Sequence, residues 1–489
     1  MPDPLTPNIV VLMTDQQRVG CTAGEGGPDT MPRLDALLTD ACRFERAYTP
    51  SPVCVPARTS LLTGRFPTAH RVRQNSTAQH ALFESDLLDV LRGAGYSLHF
   101  SGKPHMHPGP EDFDSYHGPY FHDSGPERTR EHEAFDRWLR ALDHGVAEEP
   151  TPFPLSAQFP HRIIDGALEA LTGTGEEEPF FLWVSFPEPH NPYQVPEPYF
   201  SMFEDQVPGR IADADDLAEL DWRFRWLRDL FEQKRPGYDA QWRRYRANYL
   251  GMLRLIDDQV GRLLDALGDR AEETLFLVLS DHGDFLGDYG LQRKGAGMPE
   301  ALMRVPLSVA GPGVAAQRRQ EPVSLVDVMP TLAEWTTGEL PPGAQGRSLA
   351  PLLRGEAAPP EEFSSMLGEL GYGGISYDER SRPPLHFPYE GRTVDELNSV
   401  TLGGEMRMVV TERLKLVVDD RGVHRLFDLE TDPAELHDLS EDPARRDDLA
   451  AMQRLLLRWM MRTADDLPRG AYIPRTRNHN WRWAQPIAP

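Results

Sequence analysis

Apolar residues arrive along this chain in two alternating patterns. Short unbroken runs, NIVVLMTD (8–15), YSLHFSGK (96–103), PFFLWVSF (179–186) and TLFLVLSDHGD (274–284), predict buried strands, and VPLSVAG (305–311) predicts one more. Between them lie helix-spaced segments. MPRLDALLTDA (31–41) has Thr30 as its expected N-cap and Pro32 in its first turn; ESDLLDVLRGAG (84–95) closes on Gly93 or Gly95; HRIIDGALEALTG (161–173) follows. The longest helix is expected over 238–267, with Tyr249, Leu253, Ile256, Val260, Leu263 and Leu267 forming its buried stripe. Continuous apolar strands alternating with amphipathic helices predict an α/β fold, a mainly parallel sheet covered on both faces.

The alternation stops after SLAPLLRGEAAPPEE (348–362). A Gly/Pro-rich stretch then runs to about residue 392 with no clear helix or strand, and EMRMVVTERLKLVVDDRGVHRLFDLE (405–430) predicts a meander with DDRG as a turn. PARRDDLAAMQRLLLRWMMRTADDL (443–467) predicts a terminal helix. The expected division is a catalytic domain over 1–360 and a smaller α+β domain over 361–489. The closing YIPRTRNHNWRWAQPIAP is basic and aromatic in an acidic protein, and is the candidate segment for homo-oligomer contacts.

Charge narrows the partners. A net charge of −25 argues against nucleic acid and anionic membrane, while leaving room for a small anion where a few cations converge. No run approaches the roughly 20 apolar residues of a membrane span. The opening MPDPLTPNIVVLMTDQQ lacks a basic region and a cleavage site, and three cysteines make no disulfide framework. The expectation is a soluble cytoplasmic protein.

Polar residues gather where the strands end. The first predicted strand ends in Asp15-Gln16, the second in GKPHMH with Lys103, His105 and His107, the third runs into PEPHNPY with His190, and the fourth into Asp281-His282-Gly283-Asp284. Each cluster alone is ordinary, since Asp and Gly are common in turns. Together they deliver carboxylates, imidazoles and a lysine to the carboxyl edge of one sheet, where ligands of open α/β folds bind. Asp15, Gln16 and Asp281 offer hard oxygen donors suited to Ca²⁺, Mg²⁺ or Mn²⁺, and His282 tilts the set toward a borderline metal. Lys103 and Lys294 can neutralise a tetrahedral anion, and His105 and His190 supply an acid and a base. The candidate nucleophile is Cys54, framed by Pro52 and Pro56 at the start of a predicted helix.

In SPVCVPARTSLLTGR (51–65), CVPAR fits C-x-P-x-R and resembles the signature of the type I sulfatases, within the alkaline-phosphatase-like superfamily. Five further stretches resemble that family in its order: NIVVLMTDQQR, GKPHMH, FPEPHNPY, LSDHGDFLGDYGLQRKG and LFDLETDPAELHDL. The resemblance implies that a formylglycine-generating enzyme oxidises Cys54 to formylglycine, whose hydrate is the nucleophile toward a small-molecule sulfate ester. One hydroxyl of the hydrate attacks sulfur; deprotonation of the other expels sulfate and regenerates the aldehyde. It further implies that Arg58 holds the hydrate and the metal carboxylates, and that Asp15, Gln16, Asp281, His282 and the Cys54-derived group bind one divalent metal, Ca²⁺ foremost. Lys103 and Lys294 would bind the sulfate, His105 act as base for the elimination, and His190 protonate the departing alcohol. Asn75 is a further candidate substrate contact.

Two departures stand out. Gln16 is neutral where a carboxylate is frequent, and His282 stands where Asn is common. The phosphonate monoester and phosphodiester hydrolases share this fold and nucleophile, but resemblance to them implies uncharged residues at Lys103 and His105. A non-catalytic binding protein is the remaining alternative, against which the intact Cys54, Arg58, Lys103, His105, His190 and Lys294 speak. Specificity is expected from the irregular 363–404 stretch, with Glu369, Tyr372, Tyr377 and His386.

Overall fold

A computed structural model describes residues 6–126, 129–175, 178–295, 297–341, 343–371, 377–382, 386–389, 392–395 and 403–464. The apolar runs form an eight-stranded sheet built from β1 (Asn8–Thr14), β2 (Cys42–Phe44), β4 (Ser97–Gly102), β5 (Ser115–His117), β6 (Phe180–Ser185), β7 (Thr274–Ser280), β8 (Leu307–Ala310) and β9 (Gln317–Arg319). Its order is β5-β4-β6-β1-β7-β8-β2-β9. Neighbours from β5 through β7 are parallel, and β8 alone runs against the others. The strands β4, β6, β1 and β7 are therefore adjacent and co-directional, and their carboxyl ends share one edge.

Alternation along β1 explains why its run is apolar throughout. Ile9, Val11 and Met13 face one layer with Leu61, Leu62 and Trp335. Val10 and Leu12 face the opposite layer with Ile163, Ile164, Tyr249, Leu253 and Ile256. Both faces are dry, so neither tolerates polar residues. The expected stripe of the long helix (Trp242–Leu267, preceded by a 3-10 turn at Tyr238–Gln241) is fully buried, from Tyr249 to Leu267.

Two short strands, β3 (Ala47–Tyr48) and β10 (Val323–Ser324), pair in parallel. The second sheet, β11 (Met366–Leu370), β14 (Met406–Val410), β15 (Leu414–Asp419) and β16 (His424–Asp428), is antiparallel in the order β11-β14-β15-β16 and carries the helix Arg446–Thr463 on one side. A hairpin of β12 (His386–Tyr389) and β13 (Arg392–Asp395) lies in the stretch between. This corrects the expectation that the Gly/Pro-rich stretch holds no strand. Five-residue β11 has Gly368 and Glu369 in its middle, so its apolar signal is broken. No described helix is long and apolar enough to cross a membrane.

Thr30 is not the N-cap of the first helix, Pro32–Leu37; its hydroxyl donates to Cys21 O at 2.6 Å. The helix start is satisfied from a distance instead. The buried Asp257 carboxylate accepts Arg33 N–H at 2.9 Å and Leu34 N–H at 2.8 Å. Asp257→Ala is expected to leave both amides without acceptors and lower unfolding free energy by about 1–3 kcal/mol, read from urea denaturation. Unchanged stability would show that the cap contributes nothing.

Candidate active site

The four adjacent strands place their clusters around one point. The helix Cys54–Thr63 begins there, with Val53 as N-cap and Cys54 as its first residue. The Pro52/Pro56 frame thus positions Cys54 at a helix start, 1% exposed. Its Sγ lies 3.2 Å from His282 Nε2, 3.1 Å from Lys294 Nζ and 3.7 Å from Asp15 Oδ1. Burial and Asp15 push the thiol up, but Lys294, Lys103 and His282 outweigh them and bring it to about 5. The other two buried thiols, Cys21 and Cys42, are pushed up to about 12, chiefly by burial. Only Cys54 sits in a nucleophile's environment.

Arg58, one helical turn on from Cys54 and fully buried, ties the strand ends together. Its guanidinium donates to Asp281 Oδ2 at 2.8 Å, Asp15 Oδ2 at 3.0 Å, Lys103 O at 2.9 Å and Ser185 Oγ at 2.7 Å, so it touches the ends of all four strands. Burial raises the Asp15 carboxyl, yet Lys103, His190 and Arg58 hold it well below the usual carboxylate range; Lys103 Nζ is 2.7 Å from Asp15 Oδ2. Burial and Asp15 push Asp281 up instead. Gly102 lets β4 deliver Lys103 so closely: at φ +130°, a Cβ there would come within 1.9 Å of Ser185 O.

Asp15, Cys54, Asp281 and His282 each offer a donor atom within 4.8 Å of the others, all buried. This donor set fits a divalent cation. His282 Nδ1 donates to Gly283 O at 2.9 Å, which points Nε2, the metal-competent nitrogen, at the cluster. Burial and Lys294 lower the His282 pKa, but Asp281 and Cys54 raise it further, so cluster anions call for positive charge at that nitrogen.

Gln16 enters differently from the carboxylates. Its Nε2 donates to Asp284 Oδ2 at 2.5 Å and Tyr193 OH at 3.2 Å, while Oε1 sits 3.4 Å from Lys294 Nζ. That same Nζ is 3.1 Å from His282 Nε2, which brings the Gln16 amide oxygen to the edge of the cluster. Asp284 is therefore not an open donor: Gln16, Tyr193, Tyr245 and the Leu286 amide all donate to it.

The histidines divide. His105 is half-buried beside Lys103, and its Nδ1 has no hydrogen-bond partner among the described residues. Burial and Lys103 hold it neutral, well below the usual imidazole range. His190, 5% exposed, donates from Nδ1 to Asn191 O at 2.9 Å; burial, Lys294 and Lys103 hold it neutral too. His107 is not brought in: its Nε2 is 2.9 Å from Asp86, the N-cap of the helix Leu87–Gly93. Asn75 Oδ1 accepts the Val55 amide at 3.1 Å, so it secures the start of the nucleophile helix.

Of the residues expected to set specificity, Glu369 is bound to Thr68 N at 2.7 Å and lies 3.5 Å from Arg407, and Tyr377 packs on Trp226 at 5.5 Å. Tyr372, the side chain of His386 and the C-terminal tail lie outside the described residues. Sequence reasoning missed Ser185, Asn191, His122 and His144, which the fold brings to the same edge. Ser185 ends an apolar strand, and the two histidines sit in loops without periodicity, so only residue type marked them.

A family model described as Sulfatase matches residues 7–338. An arylsulfatase of Clostridium perfringens is 27% identical over 492 residues, covering 93% of this chain and 94% of its own length. A choline-sulfatase of Rhizobium meliloti is 31% identical over 457 residues, covering 88% and 81% respectively. Among solved structures, the phosphonate monoester hydrolase from Silicibacter pomeroyi superposes with a TM-score of 0.74 at 24% identity, over 94% of this chain and 96% of that one. That likeness is one of fold.

Proposed function

The chain belongs to the sulfatase family and is a sulfuric ester hydrolase, and we propose that it cleaves a small-molecule sulfate monoester at Cys54 matured to formylglycine. The observation that carries this reading is the convergence on Cys54 of Lys294, His282 and Asp15, with Lys103 and Arg58 immediately behind. The hydrated aldehyde supplies two hydroxyls, one for attack on sulfur and one whose deprotonation releases sulfate. A divalent cation, Ca²⁺ by the oxygen-rich donors, would when bound lower the pKa of the attacking hydroxyl and neutralise developing charge. Asp15, Asp281 and His282 would hold it, with Gln16 Oε1 as a neutral oxygen at the margin.

The other side chains bind and move protons. Lys103 and Lys294 stand close enough to the cluster to hold the oxygens of a monoanionic sulfate group. His105, neutral with an open Nδ1, takes the proton in the elimination step. His190 has Nδ1 committed to Asn191 O, which leaves Nε2 for the leaving oxygen. Lys294 and Lys103 disfavour its protonation in the free protein; a bound sulfate ester offsets both and makes the imidazolium accessible. Maturation would require a formylglycine-generating enzyme.

Positive charge alone does not separate sulfate from phosphorus esters. A fixed lysine at 103 favours a compact group whose three terminal oxygens are unsubstituted, whereas a phosphonate monoester or phosphodiester must place a carbon substituent against one of those contacts. Accordingly kcat/KM for 4-nitrophenyl sulfate should exceed that for the matching phosphonate monoester by at least about tenfold, a transition-state difference of about 1.4 kcal/mol. Lys103→Ala should reduce sulfate turnover more than phosphonate turnover. A wild-type preference for the phosphonate, with the same metal and leaving group, would reassign the enzyme to the phosphonate hydrolases.

A further inference from the structure

The loop 118–124 braces both mechanistic histidines, and one of its residues has no part in the proton movements described above. It leaves β5 and returns to the sheet edge, where Tyr120 N–H donates to Gly102 O at 3.0 Å and Phe121 N–H to Ser124 O at 2.7 Å. The loop is thus pinned to the strand end that carries Lys103. The Phe121 ring meets His105 edge-on, centroids 5.7 Å apart at 71°. The next residue, half-buried His122, lies on His190 at 5.3 Å and 33°, and on His144 at 4.6 Å and 41°.

Asn191 fastens the two partners of His122 at once. Its carbonyl accepts the His190 Nδ1 proton at 2.9 Å, and its side-chain Nδ2 donates to His144 Nδ1 at 2.9 Å. Asn191 itself is fully buried, so this clip is fixed. Among the described residues His190 makes one hydrogen bond, and a ring anchored at Cγ and at Nδ1 can still rock within the tolerance of that bond. A ring packed beside it limits that rocking, and His122 lies there, tilted 33° at 5.3 Å.

We propose that His122 is a positioning residue for leaving-group protonation, its ring fixing the plane of His190 so that Nε2 is aimed at the departing oxygen. Misplacing a proton donor by an ångström is costly where the proton is needed and nearly free where it is not. The effect of His122 must therefore grow with the basicity of the leaving group. This inference rests on His190 being the acid, as proposed above.

The test compares phenyl sulfate, a poor leaving group, with 4-nitrophenyl sulfate, an activated one, in the matured full-length enzyme. His122→Ala should lower kcat for phenyl sulfate by about tenfold, with less than about twofold loss for the nitrophenyl ester and little change in either KM. His122→Phe, which keeps a flat ring and discards the nitrogens, should stay within about threefold of wild type on both esters. His122→Leu fills the space without a flat face, should match the alanine variant, and stands in for it if alanine fails to fold. Equal losses on both esters, no loss in the alanine and leucine variants, or a phenylalanine variant no better than leucine would overturn the proposal. His190→Ala is measured alongside. If it does not discriminate between the esters, the assignment of His190 falls and takes this proposal with it; if it does while His122→Ala and His122→Leu do not, only the role of His122 falls.

Discussion

Cys54→Ala is expected to lower kcat/KM for an aryl sulfate by at least about 10⁴-fold while leaving the fold intact. Cys54 lies against Lys294 and inside the metal-competent cluster with Asp15, Asp281 and His282, so its loss removes the nucleophile and leaves only substrate binding. Cys54→Ser is the sharper variant, because serine keeps an oxygen nucleophile at the same place. If serine could form a sulfated adduct, that adduct would have no second hydroxyl with which to expel sulfate, and turnover should stop after one event. Mass spectrometry of the peptide spanning Cys54 should show aldehyde in place of thiol in protein made alongside a formylglycine-generating enzyme, and activity should scale with the converted fraction. Fully active protein that carries only thiol at position 54 would mean that the thiolate, already brought to about 5 by its surroundings, is the working nucleophile.

The parts of this molecule legible in its sequence are those fixed by chain-local chemistry. Runs such as IVVLM and FFLWV must be buried on both faces, which selects a covered parallel sheet; in that fold the residues after each strand meet at one edge. Asp15, Lys103, His190 and Asp281-His282 were readable for that reason, although they are far apart in sequence. Long-range pairing was not readable. Asp257 caps a helix more than 200 residues away, and no local pattern distinguishes it from a surface carboxylate on the same helix. Thr30 looked like the cap because it has the right side chain at the right offset, but its hydroxyl found the Cys21 carbonyl. By residue type His107 and His105 are alike, and only the family resemblance singled out His105; the chain turns at His105, with φ +38°, and His107 goes to Asp86. His122 and His144 lie in loops whose course is set by tertiary contacts, so the tilted packing of His122 between His144 and His190 could not be seen before the fold.

Arg58→Ala is expected to cost about 3–5 kcal/mol of stability and, in what remains folded, about 10²–10³-fold in kcat/KM. The buried guanidinium satisfies Asp15 and Asp281 as well as the Lys103 carbonyl and the Ser185 hydroxyl. Truncation leaves two buried carboxylates closer to net repulsion, with Lys103 on only one of them. Both carboxyl groups should then rise in pKa, so the folded variant takes up protons more readily than wild type. Stability rises with pH where the unfolded state holds more protons and falls where the folded state does. The variant's deficit should therefore be largest at neutral pH and shrink as pH falls through the raised carboxyl pKa values. Arg58→Lys should fall between, since an ammonium keeps the charge but lacks the planar fork of five donors that also reaches the Lys103 carbonyl and the Ser185 hydroxyl. Urea denaturation across a pH series, with kcat/KM on the same samples, checks the whole pattern. A pH-independent deficit would mean that lost packing, not the charge pairing, is what Arg58 contributes; wild-type stability and activity in the alanine variant would remove Arg58 from the site altogether.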